Sequence, residues 1–584
     1  MIPENDLLDY YRNEIAYLRE QGGQFAARYP KVAQRLVLSS SESPDPHTEL
    51  LLESFAFLTA RVQRDIDSEF PAISGALLDS TCPNLVHVVP SLSVAQMTLD
   101  PAQGKVTAGL KIPKHTRMWA FASSGETCRF KTVWETQLWP ISLSNVSVDD
   151  ERILRLDFET TGGADLSELA LEKLSFHLGG DLQLTMPLHE LFVSALESIE
   201  LIAGDGRVHV LDVQQLKQLG HSLADIAVPQ LRNAHPAYAL LQQYFAQPRL
   251  FQFFDLEGLL GRFGLGSCFS IRFVFDHSAR VLQNLTADNF QLGCVPTVNL
   301  FEQTSEPINL THKEYEYRLV PDLKREESVE IHSIQAVFST DPKIDRPTEI
   351  PHVFAGSTAA GRADVFWTSR QELSLRPGMT GTDTYLSFVN NAQDSLVPET
   401  PVVYAKTLCT NRRLAQMVPA GARLVGEGIS TSIRIKNKYQ PSAQLIPKFD
   451  KGALWNLVSI LRLNQSSLVD GQMGLSSLQD LLMLFAGESA SNQAHVRGIK
   501  SLHAKPATMR KGTDVWRGLC SGIDVSIEFD EDAFVGASAL LFSRVLAEFL
   551  SLYTTVNSFV RVSVYRNGQI WIRWPALGGG QCIL

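Results

Sequence analysis

The chain has 584 residues, 44% of them hydrophobic and 20% charged, the proportions of ordinary globular domains. At about 150 residues per domain its length predicts roughly four domains, or three larger ones, each able to bury a core. A formal net charge of −11 disfavours nucleic acid or an anionic membrane as the main partner, because both require a concentrated basic surface.

The chain opens with acids and no apolar core region (MIPENDLLDYYRNE), so it does not read as a signal peptide. No apolar run approaches the roughly 18 residues of a membrane span, and a soluble cytoplasmic protein with no direct membrane insertion is expected. Residues 5 to 29 read as a first helix, capped by Asn5 or Asp6, with Leu7, Tyr11, Ile15, Leu18 and Phe25 on one stripe and Gly22-Gly23 weakening its far end. Pro30 to Leu38 adds a short helical piece, and Ser39 to Pro44 is a polar link.

Asp45 to Phe70 is the most strongly patterned stretch. Asp45 suits an N-cap and Pro46 the first helical position, while Leu51, Phe55, Leu58, Val62 and Ile66 recur at spacings of four, three, four and four. Pro71 is expected to end this helix, which would run roughly 35 Å at about 1.5 Å per residue. Burying its five large side chains contributes on the order of 8–15 kcal/mol gross. A turn of helix from Ile73 to Leu78 follows, and helical patterning stops at Pro83 and Pro90. Two readings stand for the stripes: an intramolecular bundle, or a seam that faces another chain because two helices make a thin core.

From Ser91 to about Ser339 short runs of β-formers take over: Leu110 to Ile112, Met118 to Phe121, Cys128 to Val133, Leu154 to Phe158, and the alternating Phe269, Ile271, Phe273 and Phe275. Helices are predicted at Pro187 to Ile199 and Pro236 to Ala246. A second β-rich block contains Ile331 to Phe338, Tyr385 to Val389 and Pro401 to Leu408, jointed by Pro342, Pro347 and Pro351. The last block predicts helices at Leu454 to Leu463, Leu478 to Phe485 and Ser538 to Ser558, and a strand at Ile523 to Phe529. A hairpin then turns at Asn567-Gly568 between Val560–Val564 and Ile570–Trp574. The fold class is α+β multidomain: a helical segment 1–90, β-rich domains 91–330 and 331–445, and an α+β domain 446–584.

Chemistry is sparse. Seven dispersed cysteines, Cys82, Cys128, Cys268, Cys294, Cys409, Cys520 and Cys582, read as reduced, buried small apolars. His189-Glu190 begins like a zinc-peptidase helix, but Val193 replaces the second ligand, which leaves a surface or half-buried histidine. Gly258, Gly261, Gly264 and Gly266 lack the dinucleotide spacing and read as turn glycines. Gly356 to Gly361 lacks the Lys-Ser/Thr ending of a phosphate loop and reads as a loop. Gly518 to Gly522 centres on Cys520 without an assignable His or Asp, and a buried cysteine before a strand is expected. The acids Glu528 and Asp530 to Asp532 read as a solvated turn. Neither a metal nor a cofactor is expected. The rival readings are a cytosolic hydrolase using Cys520 or an unrecognised carboxylate pair, and a carbohydrate-binding β protein using Trp119, Trp134, Trp139 or Trp367.

Three stretches together carry a resemblance. They are Tyr10 to Phe70 (YYRNEIAYLREQGGQFAARYPKVAQRL, then SPDPHTELLLESFAFLTARVQRDIDSEF), and Cys294 to Asn309 (CVPTVNLFEQTSEPIN) with Tyr315 to Asp322. The third is a C-terminal set: Tyr385 to Asn390, Leu408 to Arg412, Leu468 to Asp470, Glu528 to Phe534, and Leu552 to Phe559 (LYTTVNSF). In this order they resemble the TssF family, also called ImpG or VasA, of type VI secretion baseplate proteins. Two local departures are Cys82-Pro83-Asn84, where the family often has Tyr-Pro-His, and Trp574-Pro575-Ala576, where it often has Pro-Pro-Arg.

The resemblance implies a non-enzymatic wedge subunit, two copies assembling with one TssG, joined by TssK and TssE around the VgrG spike. It also implies an N-terminal core bundle, β-rich wings and a C-terminal dimerisation domain. The interface is expected at Leu7, Tyr11, Ile15, Leu18, Leu51, Phe55, Leu58, Val62 and Ile66.

Overall fold

The computed structural model describes residues 6–32, 46–100, 107, 109–231, 234–311, 313–340, 347–353, 365–374, 376, 378–389, 402–430, 432–447, 471–510, 519–552, 554, 558–566 and 568–579. The expected cap at Asp45, most of the helix at Pro30 to Leu38, the helix at Leu454 to Leu463, the loop at Gly356 to Gly361 and Asn567 of the hairpin lie outside these residues.

Two helices lead the chain, α1 (Asp6–Arg28) and α2 (Pro46–Thr81). α2 is longer than expected. It runs through Pro71 for 36 residues, about 54 Å at 1.5 Å per residue, and absorbs the expected turn at Ile73 to Leu78. A proline inside a helix removes one backbone hydrogen bond and costs about 3 kcal/mol, yet α2 continues past it to Thr81.

Six strands close a barrel in the order Leu92–Leu99, Cys294–Val298, Thr127–Thr132, Arg117–Phe121, Arg423–Gly426 and Ile433–Asn437. Alternate residues, including Met97, Met118, Phe130, Val295 and Ile435, fill its interior. Between the first three barrel strands in the chain and Cys294 the chain builds a sandwich. One sheet is Val208–Leu211, Leu196–Ile202, Cys268–Phe275, Ile153–Thr160 and Ile141–Asp149; the other is Leu216–Gln218, Phe253–Leu256, Leu174–Leu178 and Phe290–Leu292. Its core is aromatic, with Phe158 stacked on Phe269 at 4.9 Å and Phe192, from α3 (Leu182–Ser194), edge-on to Phe273 at 5.0 Å. The expected helix Pro187 to Ile199 is therefore displaced. Asp181 caps α3 by accepting from the Gln183 N–H, and residues from Leu196 onward pair as a strand instead.

A third β unit has Val402–Thr410 paired to Glu330–Thr340 and Phe301–Thr304, packed on a sheet of Glu316–Leu319, Thr382–Val389 and Phe366–Leu373. At the C-terminus Ile499–Arg510, Leu519–Phe529, Ser558–Arg566 and Gln569–Arg573 form one sheet. Its two central strands are parallel, as a crossover allows.

A helix deep in the body joins these parts. α4 (Pro236–Ala246) is buried from Ala237 to Phe245. Tyr238 stacks on Phe485 of α5 (Gly471–Ala486) at 5.3 Å. α6 (Ala490–Arg497) follows, and Tyr244 stacks on Phe542 of α7 (Ala539–Leu552) at 5.0 Å. α7 ends at Leu552, short of the expected Ser558, where a strand begins.

Two expected boundaries do not separate independent units. The barrel takes strands from both sides of 330/331, and a single apolar core runs from Cys82 through α4 to Trp574 across 445/446. Strand pairing is non-local, so a proline-rich joint in sequence need not be a domain edge. The junction of barrel and third β unit is held by two buried amides. The Asn299 Nδ2 donates to Asn411 Oδ1 (2.9 Å) and to the Arg129 carbonyl (2.6 Å), and the Asn411 N–H donates to Asn299 Oδ1 (2.7 Å). Asn411 Nδ2 reaches the Ser328 carbonyl at 3.2 Å.

Two predictions follow from this packing. Asn411→Ala takes the acceptor from the Arg129 N–H and from Asn299 Nδ2 on the barrel side and the donor from the Ser328 carbonyl on the other, and should cost roughly 2–4 kcal/mol in denaturant unfolding; a cost under about 0.5 kcal/mol would remove the junction's role. The second concerns acid. Burial pushes His177 and His332 down to about 3 and His189 to about 4. These rings are neutral when folded and protonate near pH 6.5 when unfolded, so the unfolded state binds more protons below that value. Stability is complete above about pH 6.5 and falls as pH drops toward 4. His189→Leu, beside Phe254 in an apolar site, should make the decline in Tm between about pH 7 and about pH 4.5 shallower, and an unchanged slope would exclude His189 as a source.

Candidate assembly interface

α1 and α2 pack against each other. Ala56 and Ala60, one turn apart on α2, are fully buried, and Leu52 beside them is half-buried. An ion pair between Arg19 on α1 and Glu49 on α2 fastens the pair. Tyr11, Ile15 and Leu18 are half-buried on α1.

The other side of α2 is different. Leu51, Phe55, Leu58 and Val62 are 70%, 58%, 58% and 56% exposed. At about 100° per residue, Leu51, Leu58 and Val62 lie roughly 200–240° round the helix from Ala56. Over its described side chains α2 is thus apolar on two opposed faces, one buried at Ala56 and Ala60 with Leu52 half-buried beside them, and a broad large-residue face that the rest of the described chain leaves open. Leu50 and Phe57, absent from the expected set, are also exposed and widen this face. Their flanking position on the helical wheel was the available signal, hidden by following a single stripe. The side chains of Leu7 and Ile66 lie outside the described residues.

The stripes therefore divide. On α1 Tyr11, Ile15 and Leu18 are partly covered within the chain and Phe25 is exposed, and on α2 Leu51, Phe55, Leu58 and Val62 are bare. An open apolar face this size is uncommon on a monomer's surface.

The residues weighed for chemistry are not brought together. Cys520 sits half-buried inside strand Leu519–Phe529, opposite Met509, and not before it at a turn. Cys82, Cys128, Cys294 and Cys409 are buried as expected and pushed up to about 12 by that burial, while Cys268 is exposed, contrary to expectation. His189 is fully buried on α3, a correction to the surface or half-buried reading; α3 turns it inward against Phe254.

Burial raises two carboxyls, and each has a structural partner. The Ser538 hydroxyl donates to Glu190 at 2.6 Å, and Arg544 pairs with Glu548 at 2.7 Å. Asp530 pairs with Lys500, and Glu531 with Arg566. A cleft of about 540 Å³ opens beside Arg412, lined by Glu126, Glu327 and Arg413, with no histidine or cysteine on its wall. Among the described residues no group of three or more His, Cys, Asp or Glu is placed to hold a metal ion, and no helix is long and apolar enough to cross a membrane. Trp134 packs edge-on to Phe253 at 5.2 Å and Trp367 is buried, so the four tryptophans share no open sheet face.

Known proteins match over the whole of this architecture. The chain is 28% identical to the type VI secretion system component TssF1 of Pseudomonas aeruginosa, over 98% of this chain and 99% of that one. Its fold is similar to a chain in the cryo-electron microscopy structure of the TssK-TssF-TssG baseplate subcomplex (TM-score 0.73, 22% identity, 91% of this chain and all of that one). It is also similar to a chain of the type VI secretion baseplate complex (TM-score 0.60, 20% identity, 99% of this chain and all of that one). The family described as "Type VI secretion system, TssF" matches residues 3–581, and the chain belongs to that family.

Proposed function

We propose that this chain is a non-enzymatic structural subunit of a cytoplasmic baseplate wedge, and that its work is done by buried interfaces. The observation that supports this most directly is the open apolar face of α2. Covering four such side chains contributes on the order of 6–12 kcal/mol gross, enough to drive helix association after its entropic cost.

The occupants are helices of TssG and of a second copy of this chain, two copies to one TssG. TssK and TssE complete the wedge around the VgrG spike. TssK and TssG are the subunits found with TssF in the solved subcomplex; TssE, the spike and the copy number rest on the family resemblance alone. The β-rich units act as wings, and the C-terminal sheet with α5 to α7 pairs with a neighbouring wedge.

Phe55→Asp combined with Val62→Asp alters side chains already in water, so the fold should survive. Capture of TssG in a co-expression pull-down should fall by more than about tenfold. Undiminished capture with a normal circular dichroism spectrum would remove α2 from the interface. Light scattering of the chain co-expressed with TssG should give a two-to-one complex, and any other ratio would overturn that stoichiometry.

A further inference from the structure

The segment after α2 is fixed in the body. The Asn84 Nδ2 donates to Gln242 Oε1 at 2.9 Å, the Gln242 Nε2 returns a bond to the Asn84 carbonyl at 2.6 Å, and the Val89 N–H donates to the Leu445 carbonyl at 2.9 Å. From this anchored segment one side chain reaches back to the helix. His87 Nε2 lies 2.8 Å from Asp79 Oδ1, in the last turn of α2, and His87 Nδ1 lies 2.8 Å from the His332 carbonyl oxygen, on strand Glu330–Thr340.

Both partners are acceptors only. A carboxylate and a backbone carbonyl have no proton to give, and a neutral imidazole has one N–H. The two contacts can be hydrogen bonds together only when both ring nitrogens carry protons. The ring's surroundings suit a cation. The last turn of α2 holds Asp79 and no basic residue, and a carboxylate at a helix C-terminus is unfavourable unless a positive charge offsets it.

The ring is 14% exposed, so its charge needs the close partner that Asp79 supplies. The other titratable neighbour, His332, has its ring centre 6.0 Å away. It is held neutral first by burial and then by the positive charges of His87 and of Lys131 on the barrel.

We propose that His87 is a protonated strut between the helical pair and the β body. As an imidazolium it ties the last turn of α2 to strand Glu330–Thr340. Loss of one ring proton turns one of the two contacts into a lone-pair clash, opens the bridge and lets the helical pair re-orient about Thr81-Cys82. The sign is fixed: the bridge is present when the ring is charged and is lost as pH rises. This goes beyond the assembly reading and does not depend on what covers α2.

The test uses the full chain with 15N-labelled histidine, the His87 signal being assigned by its loss in His87→Gln. At about pH 6, within the range where imidazole changes charge, both ring nitrogens should be protonated. Between about pH 5 and about pH 9, hydrogen-exchange protection of the last-turn amides, corrected for intrinsic rates, should fall at least about fivefold in step with loss of the ring proton. His87→Gln should show the low protection at every pH. Asp79→Asn, at a half-exposed position, keeps an acceptor without its charge and should reduce the share of doubly protonated rings at about pH 6. A singly protonated ring at that pH, protection indifferent to the ring's charge, or an unchanged share in Asp79→Asn would each overturn the proposal.

Discussion

The structure depends on a crossing. At Asn299 the chain leaves the barrel for the third β unit, and at Asn411 it returns, so the two crossings share one point. The amides of these residues satisfy each other and the backbone of Arg129, in a place where water does not enter. An unmatched amide in such a site costs about as much as a good core contact gains, so the geometry tolerates little else. Arg412, next in the chain, takes a left-handed backbone angle (φ 50°) and donates to the carbonyls of Val329 and Thr380. The Leu408 to Arg412 stretch that helped carry the family resemblance is thus a polar fastening for two sheet systems.

What the sequence made legible is what local pattern can encode. The strand at Leu110–Ile112 and the helix at Pro236–Ala246 match their expected limits, because alternation and a proline at the first helical turn are local signals. The split of α2 into opposed faces was half legible: large residues advertise a stripe, whereas Ala56 and Ala60 contribute by being small and leave little trace in hydrophobic periodicity. Barrel closure was not legible. Leu92–Leu99 pairs with Cys294–Val298 and with Ile433–Asn437, and nothing near residue 92 names either partner. The same holds for α4, whose burial on all sides reflects helices more than 200 residues further along the chain.

α2 is asymmetric in a way that matters for assembly. Towards α1 it buries Ala56 and Ala60 completely and Leu52 in part, beside the ion pair of Arg19 and Glu49. Its larger apolar resource is directed outward. On the proposed reading, Leu51, Phe55, Leu58 and Val62 are the surface that partner helices cover.

The closed barrel has a kinetic corollary during synthesis. Strand Leu92–Leu99 emerges early, yet its second neighbour, Ile433–Asn437, is made more than 300 residues later. At about 5–20 residues per second that is a delay of roughly 15–70 s. For that interval an apolar strand has at least one edge unpaired, and both until Cys294–Val298 is made, the condition under which nascent chains stick to one another. Ribosome-bound copies of this protein therefore need shielding over a defined window, and the window closes only when the chain has grown past residue 437.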